Sequence, residues 1–235
     1  MYQISYNLVV NKLLAALPRE EYKRLSPYLE PISLPFKKRI HEPNEPIDYV
    51  YFLNSGIASV LTVLRDGATV EVATIGNEGM VGTPVLLGTD RFPVEVIAQV
   101  PGDALRMRVD VFKKQVPPGS PLHNLLLRYT QALMNLLAQS VACNRLHSVE
   151  ERCCRWLLLT CDRVESDEFP LTQEFLAQML GVRRASVSVV AAILQKAGLI
   201  RYHRGRMKLL DRQGLEAGSC ECYQIIKKEF NRLLR

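Results

Sequence analysis

The chain has 235 residues, of which 48% are hydrophobic, and this is enough for two modest domains with a core in each. Lys and Arg outnumber Asp and Glu by 30 to 24, so the formal net charge is +6, which favours an acidic partner without identifying it. Met1 to Asn7 carry no secretory-signal pattern, and every apolar stretch is shorter than the ~18 to 20 residues of a membrane helix. We therefore expect a soluble, cytoplasmic protein with no membrane partner.

The six cysteines all lie in the second half of the chain, so they do not form the framework of a small disulfide-rich protein. They are Cys143, Cys153, Cys154, Cys161, Cys220 and Cys222. Cys220-Glu221-Cys222 has one intervening residue instead of the two typical of zinc knuckles, and no second Cys or His pair stands near it in the sequence. We expect buried or inert thiols and no metal site.

The first half of the chain changes character at Ile32. From Asn7 to Leu29, apolar residues at helical spacing predict two short helices separated at Pro18. From Ile32 to Val111, short runs rich in β-branched and aromatic residues alternate with turn residues. The predicted strands include Tyr49–Leu53, Ile57–Leu64 and Val70–Ile75. This regular spacing favours a closed β-roll or sandwich.

A long helix is predicted after the proline-rich stop at Val116–Pro121, because Leu122 to Asn144 contain neither Gly nor Pro. Its apolar stripe could be buried against the β-domain alone or shared with a second copy of the chain. We favour the shared use, in a homodimer. The predicted seam comprises Leu126, Tyr129, Leu133, Leu136, Leu137 and Ser140.

A further helix is predicted to begin at Ser148 and to run toward Val164. Ser148-Val149-Glu150-Glu151 fits a capping box, in which the hydroxyl and the carboxylate satisfy free N–H groups of the first turn.

Leu171 to Ile200 carries the local signals of a helix-turn-helix. Thr172 is an N-cap, Ala177 is small where two helices would cross, and Gly181 stands where the first helix must end. Arg201 to Leu210 then predicts a two-stranded hairpin with a basic tip, known as a wing.

The exposed residues of this unit suit DNA. Arginine can donate two hydrogen bonds to guanine, serine can reach a base or a phosphate, and basic side chains of a wing can neutralise the backbone. The alternative is a plain solvated hairpin beside a helix corner. The predicted DNA-contacting residues are Thr172, Gln173, Arg183, Arg184, Ala185, Ser186, Ser188, Val189, Arg201, Arg204, Arg206 and Lys208.

Leu-Thr-Gln-Glu-Phe-Leu-Ala at 171–177 and Gln-Lys-Ala-Gly-Leu-Ile at 195–200 closely resemble the bacterial CRP/FNR regulators. The resemblance extends over nearly the whole chain. It implies an α+β protein with a β-roll sensor domain like a cyclic-nucleotide-binding jelly roll (1–120), a dimerisation helix (121–147) and a winged helix-turn-helix domain (148–235). The partners that it implies are a palindromic double-stranded DNA operator, a second copy of the chain and RNA polymerase.

By this resemblance Arg184 falls at the family's base-reading arginine. Ala185 occupies a position often held by Glu, and Val189 one often held by Arg. We therefore expect a half-site that differs from that of the founding members.

The effector pocket implied by the resemblance departs from the cyclic-nucleotide pattern. Thr83 stands where relatives carry a Glu for the ribose, and either Arg91 or Phe92 falls at the phosphate-binding arginine. An apolar residue there would leave the phosphate unpaired, so we expect another small ligand, or none, in place of a cyclic nucleotide. The candidate pocket residues are Gly82, Thr83, Arg91, Phe92, Tyr129, Leu133 and Leu137.

Two cofactors used elsewhere in the family are not expected. Its iron–sulfur branch uses cysteines near the N-terminus, whereas the first cysteine here is Cys143. The four histidines, which could serve as haem ligands, are scattered without a supporting pattern: His41, His123, His147 and His203.

Two other functions are alternatives to a regulator that binds DNA. One is an effector-binding module that acts mainly through protein–protein contacts, with a vestigial DNA-binding domain. The other is an enzyme, but the sequence has no Ser/His/Asp set, paired-carboxylate motif or nucleotide loop to support catalysis.

Overall fold

The computed structural model describes residues 10–234, and its chain begins with two short helices, α1 (Lys12–Ala15) and α2 (Arg19–Leu25). The predicted break at Pro18 is confirmed, since Pro18 directly precedes α2. A single 3-10 turn, Ser26–Tyr28, leads into the first strand. The expectations for Met1 to Val9 lie outside the described residues.

Eight strands follow and form the predicted roll of two antiparallel four-stranded sheets. One sheet has the order β1-β8-β3-β6 and the other β2-β7-β4-β5. The strands are β1 (Glu30–Leu34), β2 (Arg39–His41), β3 (Tyr49–Leu53), β4 (Ile57–Val63), β5 (Thr69–Ile75), β6 (Met80–Val81), β7 (Glu95–Val100) and β8 (Gly102–Arg108). Two short helices, α3 (Thr83–Leu86) and α4 (Val109–Gln115), follow β6 and β8.

Strand β4 is buried on both faces, which explains its nearly continuous apolar sequence. Ala58 and Val60 belong to the core between the two sheets. Leu61 belongs instead to the core of the C-terminal domain, and Ser59 contacts Met179 of that domain. The C-terminal domain therefore packs against the outer face of this sheet.

The predicted long helix is confirmed as α5 (Pro121–Leu146), which has 26 residues and a length of about 39 Å. Ser120 caps its first turn by accepting a hydrogen bond from the His123 N–H. After His147, helix α6 (Val149–Val164) begins with the predicted capping box, in which both Ser148 and Glu151 take part.

The C-terminal domain contains the remaining elements, packed around Trp156 and Phe169. They are β9 (Glu168–Pro170), α7 (Gln173–Leu180), α8 (Arg184–Lys196), β10 (Ile200–His203), β11 (Arg206–Leu209), α9 (Arg212–Ala217) and α10 (Cys222–Leu233). No single helix within residues 10–234 is long and apolar enough to cross a membrane. In the described part of the chain, only the bent pair α7 and α8 has the combined length and composition to do so, and both of its helices contribute to this core.

Helix α5 presents three different faces. The first packs into the protomer's own core through residues that include Leu126, Tyr129 and Leu136, which are at most 3% exposed. The second contacts α10, for example through the hydrogen bond from Asn135 Nδ2 to Glu229 Oε2. The third is exposed and apolar, and its residues are Leu127, Met134, Leu137 and Val141.

This arrangement corrects the predicted seam. Leu126, Tyr129 and Leu136 have almost no surface left for a second chain, because the roll already covers them. Leu133 and Ser140 are half-buried, and Leu137 alone of the predicted set lies on the exposed face. The helical periodicity does not distinguish the apolar face that packs on the roll from the exposed apolar face. Only the exposed face is available to a partner.

Polar contacts also join the roll to α6. The Trp156 Nε1–H donates to Glu71 Oε1 at 2.7 Å, and Arg163 pairs with Glu78 at 2.8 Å. Ser59 Oγ lies 2.6 Å from Glu71 Oε2 and 2.5 Å from Gln99 Oε1. Because the Ser59 hydroxyl carries one hydrogen for two neighbouring oxygens, a protonated Glu71 fits this site.

Burial raises the pKa of Glu71 to about 7, against the opposing effect of hydrogen bonds from Ser59 and Trp156 and the charges of Arg163 and Arg155. A raised carboxyl pKa stabilises the folded state at low pH, and this stabilisation is lost as the pH rises through about 7. Gln does not titrate, so we predict that Glu71→Gln lowers the free energy of unfolding more at pH 5 than at pH 8. The two changes should differ by up to about 3 kcal/mol. Chemical denaturation of both proteins at the two pH values measures this. The same difference at both would contradict it, and exposed Glu45→Gln is the control.

Candidate nucleic-acid interface

The turn between α7 and α8 has the local geometry that the sequence predicts. Thr172 Oγ1 accepts a hydrogen bond from the Phe175 N–H at 3.1 Å and so caps α7. Gly181 has a φ of +63°, a left-handed conformation that favours glycine, and it ends the helix. The two helices meet at 109°, within the range of a helix-turn-helix.

Helix α8 separates a buried face from an exposed one. Val187, Val190 and Leu194 are buried in the domain core. Arg183, Arg184, Ala185 and Val189 are exposed or half-exposed, and Ser186 is half-buried. The first turn of this helix, with its free N–H groups and two arginines, therefore faces solvent as a positively charged end.

Ser188 has a role that the sequence did not indicate. Its hydroxyl lies 2.7 Å from Gln173 Oε1 and 3.1 Å from the Arg184 carbonyl oxygen. This contact connects the first turn of α7 to α8, so Ser188 and Gln173 position one helix against the other. Arg184 is only loosely paired, with its Nε 4.0 Å from Glu174 Oε2, and both side chains are largely exposed.

The predicted wing is the hairpin of β10 and β11, and its tip is Arg204-Gly205, both residues with positive φ. The Leu171 N–H donates to the Gly205 carbonyl at 2.8 Å, and the Tyr202 hydroxyl donates to the Leu171 carbonyl at 2.5 Å. These bonds hold the wing tip beside the start of α7. Tyr202 was missed as a functional residue, although an aromatic in a basic hairpin is a signal for such an anchor.

The wing concentrates positive charges, and their mutual repulsion destabilises it. Arg201 lies opposite Lys208, and like charges in these positions destabilise a hairpin. Strand β9, which was not predicted, pairs with β11 and brings Glu168 to 2.7 Å from Arg206. The hydrogen bond and charge of Arg206, followed by the charge of Lys208, hold the pKa of Glu168 below its usual value.

The effector residues predicted from the resemblance do not all meet in one place. A cavity of about 390 Å³ in the roll is lined by Gly82, Thr83 and Phe92. Arg91 lies outside its lining, exposed, with Nη1 donating to the Asn44 carbonyl at 2.6 Å. Tyr129, Leu133 and Leu137 do not line it either, because α5 directs them elsewhere.

The two arginines that line this cavity already have carboxylate partners. Arg39 Nε lies 2.9 Å from Glu95 Oε1, and Arg106 Nε lies 3.0 Å from Glu30 Oε2. Arg106 also stacks on Tyr49 at 4.2 Å. A phosphate bound here would have to compete with these pairs.

The cysteines form two groups. Burial raises the pKa of the Cys154 and Cys161 thiols to about 12, as expected for inert side chains. Cys143, Cys220 and Cys222, in contrast, cluster with His147. No second Cys or His pair stands near Cys220-Glu221-Cys222 in the sequence, but the fold brings in Cys143 and His147, which are more than 70 positions away.

Two protein-family models match the chain. Residues 32–116 match the cyclic nucleotide-binding domain, and residues 151–217 match the Crp-like helix-turn-helix domain. The first range runs from within β1 past the end of α4, and the second runs from within α6 to the end of α9 and leaves out α10.

Three relatives are similar to this chain over most of their own length. The global nitrogen regulator of Nostoc sp. is 24% identical over 72% of this chain and 80% of its own. The structure of FixK2 from Bradyrhizobium japonicum superposes with a TM-score of 0.70 at 17% identity, over 82% of this chain and 98% of FixK2. A CRP-family transcriptional regulator from Thermus thermophilus gives a TM-score of 0.67 at 21% identity, over 81% of this chain and 96% of its own.

Proposed function

The chain belongs to the CRP/FNR family of transcriptional regulators, and from this we propose that it binds a palindromic DNA site as a homodimer through α8 and the wing. The observation that carries this proposal is the exposed, arginine-bearing start of α8 beside a basic wing. No catalytic role is proposed, and such a regulator would act in the cytoplasm, together with RNA polymerase.

The exposed face of α5 supports a dimer. Leu127, Met134 and Val141 recur at intervals of seven residues, and Leu137 adds to the same face. A heptad repeat of this kind is typical of a seam between two helices. Met134 and Val141 are 60% and 71% exposed, so in a monomer they would leave a long apolar strip in water.

The base-reading role falls to Arg184 and the phosphate-binding role to the wing. Arg184 can donate two parallel hydrogen bonds to a guanine edge. Arg204 at the tip and Lys208 on β11 form no ion pair among the described residues, whereas Arg206 is partly neutralised by Glu168. We therefore assign the backbone contacts mainly to Arg204 and Lys208, with a smaller share for Arg206.

The cavity in the roll supports modulation by a small ligand that is not a cyclic nucleotide. Thr83 and Phe92 line it, and the neighbouring arginines are already paired. A ligand with less negative charge, or one that brings its own hydrogen-bond donors, suits this lining better than a cyclic phosphate does.

Replacing two residues of the outer α5 face should abolish the dimer. We predict that Met134→Glu combined with Val141→Glu gives a monomer, because four carboxylates would face each other across the seam. Light scattering coupled to gel filtration measures the mass. Leu210→Glu places the same charge at an exposed apolar residue outside α5 and should leave the dimer intact. An unchanged dimer in the double variant would exclude this seam.

Arg184 and Arg204 should respond differently to conservative replacement. Arg184→Lys keeps the charge but loses the bidentate donor, so preference at one base pair per half-site should weaken by roughly 1 to 3 kcal/mol with little change in the salt slope. Arg204→Lys should be nearly neutral, and Arg204→Gln should weaken all DNA alike and lower the slope by about one unit per phosphate contact.

Fluorescence anisotropy titrations against a selected site and its single-base variants, at several salt concentrations, separate these effects. If Arg184→Lys leaves the base preference intact, Arg184 is not the base-reading residue. If Arg204→Gln changes preference at one base pair, the wing tip reads the DNA sequence, and the assignment of Arg204 to the DNA backbone is wrong.

A further inference from the structure

Four potential metal ligands meet where α5 ends and α10 begins. Cys143 lies in the last turns of α5 and His147 directly follows that helix, whereas Cys220 precedes α10 and Cys222 is its first residue. Their ligand atoms all lie within 4.8 Å of one another. The three cysteines are at most 4% exposed, and the His147 side chain is 17% exposed.

Two of the six separations between the ligand atoms are close to those around a single tetrahedral ion, and all six are within 4.8 Å. Metal–sulfur bonds of about 2.3 Å and a metal–nitrogen bond of about 2.0 Å place sulfurs about 3.8 Å apart and sulfur and nitrogen about 3.5 Å apart. Here the sulfurs of Cys143 and Cys220 are 3.5 Å apart, and Cys222 Sγ is 3.5 Å from His147 Nδ1. A multinuclear iron–sulfur cluster inserts its own atoms between the ligands and needs wider spacing.

The surroundings of His147 provide a second, independent indication. While Nδ1 faces Cys222, the other ring nitrogen, Nε2, lies 3.3 Å from Glu221 Oε2. A carboxylate on the far nitrogen is the usual support of a histidine that binds a metal, since it fixes the tautomer and orients the ring. The Gln139 side-chain amide also donates to Cys222 Sγ at 3.1 Å.

Two buried cations stand beside the cluster. Arg152 and Arg155 of α6 are 9% and 8% exposed, and the Nε–H of each has no hydrogen-bond partner within residues 10–234. Neither forms an ion pair with a carboxylate among these residues, and their charges act on Cys143 and Cys220. Three thiolates and one divalent ion carry a net charge of −1, which these buried guanidinium groups can balance.

We propose that Cys143, His147, Cys220 and Cys222 form a structural zinc site that fastens α10 to the end of α5. Thiolate and imidazole ligands suit Zn²⁺, and four protein ligands leave no open position for catalysis. Because His147 directly precedes Ser148, the site also braces the connection between α5 and α6. It therefore fixes the C-terminal domain relative to the long helix.

The metal content of the full-length protein, purified without chelators, tests this directly. We expect about one zinc per protomer by inductively coupled plasma mass spectrometry, and six free thiols after denaturation with a chelator. Replacement by Co²⁺ should give the visible absorption of a tetrahedral thiolate complex. Protein without metal, four free thiols that indicate a disulfide, or iron with acid-labile sulfide would each overturn the proposal.

Matched variants distinguish the loss of a zinc ligand from the loss of a buried side chain. Cys222→Ala should lose the zinc, whereas Cys161→Ala, equally buried but outside the cluster, should retain it. Glu221→Gln keeps all four ligands and should weaken zinc binding by about 10- to 100-fold in competition with a chelating dye. Full zinc occupancy at unchanged affinity in Cys222→Ala would contradict the ligand assignment, even if other variants failed to fold.

Discussion

The architecture depends on one constraint, which is that α5 carries apolar side chains on two separate faces. The inner face, with Tyr129 and Leu136, is covered by the roll, and this burial fixes the helix to its own protomer. The outer face, from Leu127 to Val141, has no cover among the described residues. The helix that completes the fold of one chain therefore also carries the apolar surface on which we propose that a second chain packs.

The same helix determines where the DNA-binding unit lies. Helix α6 begins shortly after α5 ends, and its side chains reach back to the roll through the contacts of Trp156 with Glu71 and of Arg163 with Glu78. The C-terminal domain is therefore held by the α5–α6 connection, by the roll and by α10 at once. We expect a change at any of these three attachments to alter the position of α8. The cysteine cluster lies where α10 meets α5, so it is at one of these attachments.

Elements whose signals are local were predictable from the sequence. Ser148 with Glu151, Thr172, Gly181 and the basic hairpin each specify a cap, a turn or a wing within a few residues, and the structure has them at the expected positions. The face of α5 that remains free was not predictable, because periodicity shows that residues are apolar and not which neighbour covers them. Leu126 and Leu127 are adjacent in sequence but have opposite environments for this reason.

The residues of the candidate sites were also predictable only in part from the sequence. Strand β9 is only three residues long, so its Glu168 could not be placed beside Arg206 from the pattern alone. Cys143 and Cys220 are separated by 77 positions, and a search for local ligand spacing does not connect them. Arg91 and Phe92 are neighbours, but only the structure distinguishes the residue that lines the cavity from the one that binds the Asn44 carbonyl.

We propose that two copies of this chain read one two-fold symmetric DNA site through α8. Hydroxyl-radical footprinting of the purified protein on its selected operator tests it most directly, since every backbone position is observed. We expect two protected stretches related by a two-fold axis on one face of the duplex, with centres about one helical turn, ~34 Å, apart. Uniform protection that follows no sequence, or a single asymmetric protected stretch, would contradict it.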